Sequence, residues 1–125
     1  MKKILILGLS SALAAGSAGA FAQGSSTGPV QQQLRAVYRE LVEINTTDSA
    51  GSCTEAAHAM AAHLRKAGLA PDDLQVLVPA GAPKKGNLVA RLRGSGAKKP
   101  LLLLAHIDVV EAKREDWKRD PFKLV

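Results

Sequence analysis

His106 and Asp108 are the two residues of this chain whose types and spacing best suit metal chemistry. Ile107 separates them, and in an extended segment side chains two apart point the same way, so both lie on one face. A neutral imidazole is a good zinc ligand, and a carboxylate that holds its second nitrogen fixes the tautomer and strengthens the ligand. The spacing favours His106 as a metal ligand oriented by Asp108. The alternative is a histidine that caps a strand and an aspartate that starts a turn.

Other polar residues have weaker claims to chemistry. His58 and His63 are five apart on a predicted helix, about 140° around its axis, so they cannot chelate one ion from one face. We expect both histidines to face solvent. Cys53, in the first turn of that helix, is either a buried thiol or a free reactive one. The cluster at residues 46–48 either lines a substrate entrance or forms a turn.

Two helices precede the chemistry. The first is predicted from an apolar stripe with helical spacing, which consists of Val30, Leu34, Val37, Tyr38, Leu41 and Val42. Residues 45–51 carry no such stripe and break this helix. Ser52 and Glu55 have the spacing of a capping box, so a second helix should begin there. Gly68 followed by Pro71 ends it.

Three short strands are predicted after the helices, at residues 74–78, 88–92 and 101–105. The third run is Leu-Leu-Leu-Leu-Ala without polar alternation, which is typical of a central strand buried on both faces. Open α/β sheets bind ligands beyond the carboxyl ends of their strands, where His106 lies. Two helices and three strands cover such a sheet poorly, so we expect the opening part of a larger α/β domain.

The chain has 125 residues, enough for at most one ordinary domain, and its first segment looks like an export signal. Residues 1–22 have a basic start, a short apolar core and a small-residue end, and we expect cleavage after Ala22. The apolar core is too short for a permanent membrane anchor, which is the alternative. Residues 23–29 should form a flexible leader, and residues 30–125 the folded part. The export signal predicts a periplasmic or secreted protein.

Charge and cysteine content exclude further classes of protein. One cysteine cannot form a disulfide scaffold, and 46% hydrophobic residues are too many for a disordered tail. The net charge of +6 falls to +4 when Lys2 and Lys3 leave with the signal. The lysine pairs at 84–85 and 98–99 lack interleaved aromatic residues, so we expect no nucleic-acid partner.

The segment around His106 resembles a known family. Residues 106–110 read His-Ile-Asp-Val-Val and are followed by Trp117 and by Asp-Pro-Phe at residues 120–122. This pattern is similar to that of the dinuclear zinc peptidases and amidohydrolases, which include aminoacylases, acetylornithine deacetylase, succinyl-diaminopimelate desuccinylase and glutamate carboxypeptidases. The resemblance extends over residues 30–125 and is most specific at residues 101–122. Two weaker similarities lie at residues 41–47 and 86–92.

The resemblance implies a fold, an activity and roles for two residues. It implies a three-layer α/β/α zinc-exopeptidase domain that hydrolyses a peptide or an N-acyl amino acid, with two zinc ions and a possible homodimer through a further domain. His106 would ligate one zinc ion, and Asp108 would be the catalytic-site residue that braces His106. Trp117 and residues 120–122 would shape the loop beside the site, or alternatively close the core. Where many relatives have proline, Glu111 adds negative charge near the site.

The family's bridging Asp, its Glu-Glu pair and its late His have no counterparts in this chain. One His and one Asp do not provide about four ligands and a general base. The resemblance therefore predicts an N-terminal fragment that is inactive by itself and holds at most part of the zinc site. Two other classes stay open, a non-catalytic periplasmic binding module on the same scaffold and a basic protein that binds anionic polymers.

Overall fold

The computed structural model describes residues 28–125, which form two helices and one small sheet. In chain order the elements are α1 (Pro29–Glu43), α2 (Cys53–Lys66), β1 (Leu74–Leu77) and β2 (Asn87–Ala90). Short 3-10 helices occupy Pro71–Asp73 and Arg114–Asp116. The predicted signal at residues 1–22 and the leader up to residue 27 lie outside the described residues. Within residues 28–125, no helix combines the length and the apolar character needed to cross a membrane.

Helix α1 confirms the first predicted helix, and it begins one residue earlier, at Pro29. Proline suits this first position because its backbone angle is already helical and its missing N–H would have no partner inside the helix. The apolar stripe is only partly covered. Val30, Leu34 and Tyr38 are 70%, 62% and 58% exposed, respectively, and α1 contacts α2. The N-terminal half of the stripe therefore contributes little to the core.

Helix α2 confirms the second predicted helix at both ends. The Ser52 hydroxyl accepts a hydrogen bond from the Glu55 N–H at 3.2 Å, as the predicted cap requires. After the helix, Gly68 adopts φ +95°, a left-handed angle that glycine takes without steric cost. Three small residues of α2 are almost completely buried: Ala56, Ala57 and Ala61. Together with Cys53 and Leu74 they form the core between α2 and the sheet, which α2 contacts on both strands.

Strands β1 and β2 form an antiparallel pair in which Leu74 is opposite Ala90 and Leu77 is opposite Asn87. Beside one end of the two-stranded sheet, Arg93 forms an ion pair with Asp73 and contacts both of its carboxylate oxygens at 2.9 Å. The Arg91 N–H also donates to the Asp73 carbonyl oxygen. These strands confirm two of the three predicted ones, and the described chain is a small mixed α/β fold.

The third predicted strand, at residues 101–105, is absent from the described structure, so that prediction is wrong. Leu101, Leu102, Leu103 and Leu104 are each between 82% and 92% exposed, although the sequence pattern indicated burial on both faces. A strand requires a neighbouring backbone to accept and donate its hydrogen bonds. Within residues 28–125 the sheet has two strands, which pair with each other and not with this run. The leucines therefore lack the neighbours that their pattern requires.

Candidate functional site

His106 and Asp108 lie side by side at the surface. The His106 ring Nδ1 is 3.3 Å from the Asp108 Oδ1 and 3.1 Å from the Asp108 backbone oxygen. Both partners of Nδ1 are oxygen acceptors, so in the neutral ring Nδ1 carries the proton and donates it. The His106 and Asp108 side chains are 85% and 68% exposed. The structure thus brings together the two residues that the spacing placed on one face.

This arrangement fits one ligand position of a zinc site and its supporting carboxylate. A ring that donates through Nδ1 presents the lone pair of Nε2, the atom that a metal would bind. Among the described residues, however, no group of three or more His, Cys, Asp or Glu side chains could hold a metal ion. Residues 1–27 contain none of these four residue types. The described chain therefore offers one imidazole with a carboxylate beside it, and not a closed coordination shell.

A groove of about 640 Å³ runs beside this pair. Its walls come from the start of α2, the entry to β2 and the segment that carries the pair. They include Cys53, Ala57, Met60, Asn87, Leu88, Leu103, Ala105 and Ile107. Lys85, His106 and Asp108 border the same groove. A bound molecule in this groove would contact apolar side chains and, at the same time, lie next to the imidazole.

The loop at residues 45–51 holds the segment of the pair in place. Thr46 is only 4% exposed, and its hydroxyl donates to the Ile107 carbonyl oxygen at 2.7 Å. The loop is itself tightly folded, because the Gly51 N–H donates to Thr47 and the Ser52 N–H donates to Asn45. A Cβ on Gly51 would lie 2.4 Å from the Thr47 nitrogen, so the turn admits no larger residue without moving. A rigid loop thus contacts the residue between His106 and Asp108.

Glu111 forms a second link between the same two parts of the chain. Its carboxylate accepts from the Ser49 N–H at 2.9 Å and from the Ser49 hydroxyl at 2.8 Å. The backbone hydrogen bond is the largest cause of a lowered pKa at Glu111, followed by the hydroxyl bond. The side chain therefore ties its segment to the loop, a role that the sequence did not reveal for this negative charge.

Asp48 and Lys85 form an ion pair close enough to Asp108 for its charge to act on Lys85. The hydrogen bond from Lys85 and then its charge lower the pKa of Asp48. The hydrogen bond to Asp48 is the largest cause of a raised pKa at Lys85, and the negative charge of Asp108 acts in the same direction. Asp108 therefore lies within the electrostatic reach of a lysine that is already neutralised by another carboxylate.

The other residues considered from sequence lie apart from His106. His58 is exposed on α2, as expected, whereas His63 contacts Glu40 of α1 through its Nε2. The expectation that His63 simply faces solvent is therefore incomplete, because the ring links the two helices. Cys53 is a buried free thiol, 8% exposed, with its sulfur 4.0 Å from the Thr46 carbonyl oxygen. This corresponds to the buried alternative for the thiol.

A second, mostly apolar groove of about 450 Å³ lies between α1 and the segment after His106. Tyr38 and Leu41 of α1 line one side, and Trp117, Pro121 and Phe122 line the other. His106 borders this groove as well. Trp117 is 51% exposed, so this side of the groove is open to solvent. The aromatic residues of the resemblance thus lie beside the candidate site, with the groove between them and α1.

Spacing along the chain places His106 beside Asp108, but it gives no sign of the contacts made by Thr46 and Ser49. Those contacts join residues that are 61 and 62 positions apart. The sequence gives only a partial signal, because the polar run at residues 46–48 predicts a turn or a substrate entrance and not a contact with residue 107. The structure makes the first residue of this run a buried hydrogen-bond donor to the site segment.

No protein-family model matches the chain, and no curated protein or solved structure matches it either.

Proposed function

We propose that this chain carries the first zinc-binding segment of an exported zinc-dependent hydrolase that cleaves a peptide or N-acyl amide bond. In this proposal His106 ligates one of two zinc ions through Nε2, and Asp108 braces the ring. Further residues of the complete protein supply the remaining ligands and the general base. The finer fold is a three-layer α/β/α catalytic domain, in which the 101–105 run gains its neighbouring strands. The protein acts in the periplasm or outside the cell, with a homodimer as a possible assembly.

One observation supports the proposal most strongly, namely the contact of the His106 Nδ1 with Asp108. Metal-ligating histidines almost always donate their other ring nitrogen to a carboxylate, a carbonyl or water, and here both a carboxylate and a carbonyl oxygen are close. The same two residues begin the His-Ile-Asp-Val-Val segment that resembles the dinuclear zinc family. The groove beside the ring would admit a small peptide or acylated amino acid.

Each residue of this chain has a limited task in such a site. Zinc, when bound, supplies a Lewis acid that polarises the amide carbonyl and activates water. His106 contributes an uncharged nitrogen donor, and Asp108 keeps that donor in the correct tautomer. The apolar walls of the groove, such as Met60 and Leu88, would contact the non-polar part of a substrate. Lys85 is paired with Asp48, which lowers the net positive charge beside the ligand.

The test uses the protein expressed from its complete open reading frame. After removal of metal with a chelator, zinc binding is measured by titration, and hydrolysis of dipeptides and N-acetyl amino acids is measured with and without zinc. We expect two tightly bound ions and zinc-dependent hydrolysis. His106→Ala should weaken binding of one ion by about 100-fold or more. Loss of a residue that only supports a ligand already costs about 10- to 100-fold, and loss of the ligand itself should cost at least as much.

His58→Ala is the matched control, because His58 is exposed on α2 away from the pair. This variant should bind zinc and hydrolyse substrate as the wild type does. The proposal fails if the wild-type protein binds no zinc tightly, or if His106→Ala and His58→Ala have the same affinity for both ions.

A non-catalytic binding module on the same scaffold is the second candidate, and the apolar groove beside Trp117 favours it. Tyr38, Trp117 and Phe122 supply aromatic surface next to a single imidazole, an arrangement suited to holding an apolar segment of a ligand. Zinc binding without amide hydrolysis by the complete protein, together with saturable peptide binding, would favour this candidate over the hydrolase.

A further inference from the structure

We infer that Thr46 is a positioning residue that sets the geometry of the His106–Asp108 pair through the Ile107 carbonyl. This inference rests on the proposed function, since it assigns Thr46 a role in zinc affinity. Thr46 lies 60 positions before His106, and it does not contact a zinc ion in this scheme. It acts through the backbone that joins the two residues of the pair.

The hydrogen bond from Thr46 is accepted between the two residues of the pair. The Thr46 hydroxyl donates to the Ile107 oxygen at 2.7 Å, and Ile107 is the residue between His106 and Asp108. The Ile107 carbonyl belongs to the planar peptide unit that leads into Asp108. A fixed direction for this carbonyl therefore fixes the orientation of the backbone from which the Asp108 side chain projects.

Thr46, the donor, is buried, whereas His106 and Asp108 are exposed. His106 and Asp108 are 85% and 68% exposed, so few neighbours restrain their side chains directly. Thr46 is 4% exposed and lies in a loop closed by its own backbone hydrogen bonds. Order at the exposed pair must therefore be imposed through the backbone, and Thr46 is the buried side chain that donates to it.

A second link holds the same segment three residues beyond Asp108, at Glu111. Ser49 donates twice to the Glu111 carboxylate. Thr46 and Ser49 come from one loop, and their acceptors, Ile107 and Glu111, lie on either side of Asp108. Two anchors on a single rigid loop restrict both the rotation and the displacement of the intervening backbone.

The experiment compares Thr46→Val, which removes the hydroxyl and keeps the branched shape, with Thr46→Ser, which keeps the hydroxyl. Thr54→Val is the control, because the Thr54 hydroxyl also makes long-range hydrogen bonds: it donates to the Pro83 carbonyl oxygen at 2.7 Å and accepts from the Gly86 N–H at 2.8 Å. Each variant is made in the complete protein. Two quantities are measured: the zinc dissociation constant by chelator competition, and the ¹⁵N shifts of the His106 ring nitrogens in the metal-free protein at pH 8.

We expect Thr46→Val to weaken zinc binding about tenfold or more, the range seen when a supporting residue of a metal ligand is removed. In this variant the ¹⁵N shifts of the His106 ring should move away from those of the Nδ1-protonated tautomer, towards the values of a free imidazole, in which both tautomers are present. Thr46→Ser should restore both quantities close to wild type. Thr54→Val should leave both unchanged, even though it removes two long-range hydrogen bonds, because neither of them involves the backbone between His106 and Asp108.

Two results would overturn the inference: equal effects of Thr46→Val and Thr54→Val, or a Thr46→Ser variant as impaired as Thr46→Val. If circular dichroism shows that Thr46→Val is unfolded, Thr46→Ala is compared with Thr46→Ser instead, since the two differ by one oxygen atom. A wild-type protein that binds no zinc would contradict the proposed function. In that case the ring-nitrogen shifts still decide whether Thr46 orders the pair.

Discussion

Glu111 illustrates how one side chain can join two distant parts of a small protein. Both of its carboxylate oxygens accept hydrogen bonds from Ser49, one from the backbone and one from the hydroxyl. Ionised carboxylates make stronger hydrogen bonds than neutral ones, so this contact favours the charged form. The consequence is a lowered pKa at Glu111 and a tether whose strength depends on pH.

Acid should weaken the hydrogen bonds between Ser49 and Glu111, because it protonates the Glu111 carboxylate. Because the folded-state pKa of Glu111 lies below its ordinary value, its contribution to stability is fully present above about pH 4.3, the ordinary value for glutamate. That contribution is lost as the pH falls through the lower, folded value. A ¹³C NMR titration of the Glu111 carboxyl should show a midpoint below the ordinary one. Ser49→Ala should raise the midpoint only part of the way, since the backbone N–H is the larger cause and stays.

Ser95→Ala provides the control for this titration, because Ser95 accepts a bond from Ala97 in a remote loop. It should leave the Glu111 midpoint unchanged. An ordinary midpoint in the wild type, or no change on Ser49→Ala, would show that the Ser49 contact does not form in solution.

The sequence reveals His106 and Asp108 but not the residues that hold their segment. His106 and Asp108 are two positions apart, so local geometry alone predicts that they meet. Thr46 and Ile107 meet only because the chain folds back over 61 positions. No local pattern encodes such a contact, since it depends on where α2 and the hairpin place the two segments. Spacing therefore predicts the pair and not the residue that supports it.

The helices and strands that local interactions stabilise were the ones that the sequence predicted correctly. Helix α2 begins at a serine cap and ends at a glycine with positive φ, and both signals are visible in the sequence. The strands β1 and β2 need only each other, and both formed within one or two residues of the predicted bounds. The 101–105 run needs partners on both sides, so its apolar composition alone was insufficient. An element's dependence on distant partners decided whether its prediction was confirmed.

The Ser52 cap gives a direct measure of one local signal. Ser52→Ala removes the acceptor for the Glu55 N–H, and we expect the free energy of unfolding to fall by about 1 kcal/mol. Ser52→Asp should stay close to the wild type, because aspartate is an equally good cap and its charge favours the helix N-terminus. Urea denaturation followed by circular dichroism measures the difference. Equal stabilities for the alanine and aspartate variants would mean that the cap contributes nothing.

Among residues 28–125, many large apolar side chains are exposed. The four leucines at residues 101–104 are adjacent and exposed, and the N-terminal half of the α1 stripe is exposed as well. Soluble monomers rarely expose large contiguous apolar patches, whereas scattered single residues are ordinary. The buried core is small by comparison, and alanines make up much of it.

We therefore expect this chain alone to self-associate through residues 101–104. Sedimentation velocity should show a mass that rises with concentration, since association removes the leucines from water. The double variant L102K/L104K should remain monomeric. Leu92→Lys is the control, because Leu92 is 87% exposed but lies outside the run, and this variant should associate as the wild type does. A wild-type chain that stays monomeric at high concentration would contradict the expectation.

The links that hold the segment after residue 101 have a consequence for folding order. The segment is attached by side-chain hydrogen bonds, from Thr46 to Ile107, from Ser49 to Glu111 and from Arg39 to Leu124. No ladder of backbone hydrogen bonds joins it to the described sheet. We therefore expect helix α2 and the β1–β2 pair to assemble first, and the His106 segment to dock afterwards as a separate cooperative unit. Its backbone amides should exchange with deuterated solvent well before those of α2, by local opening and not by global unfolding.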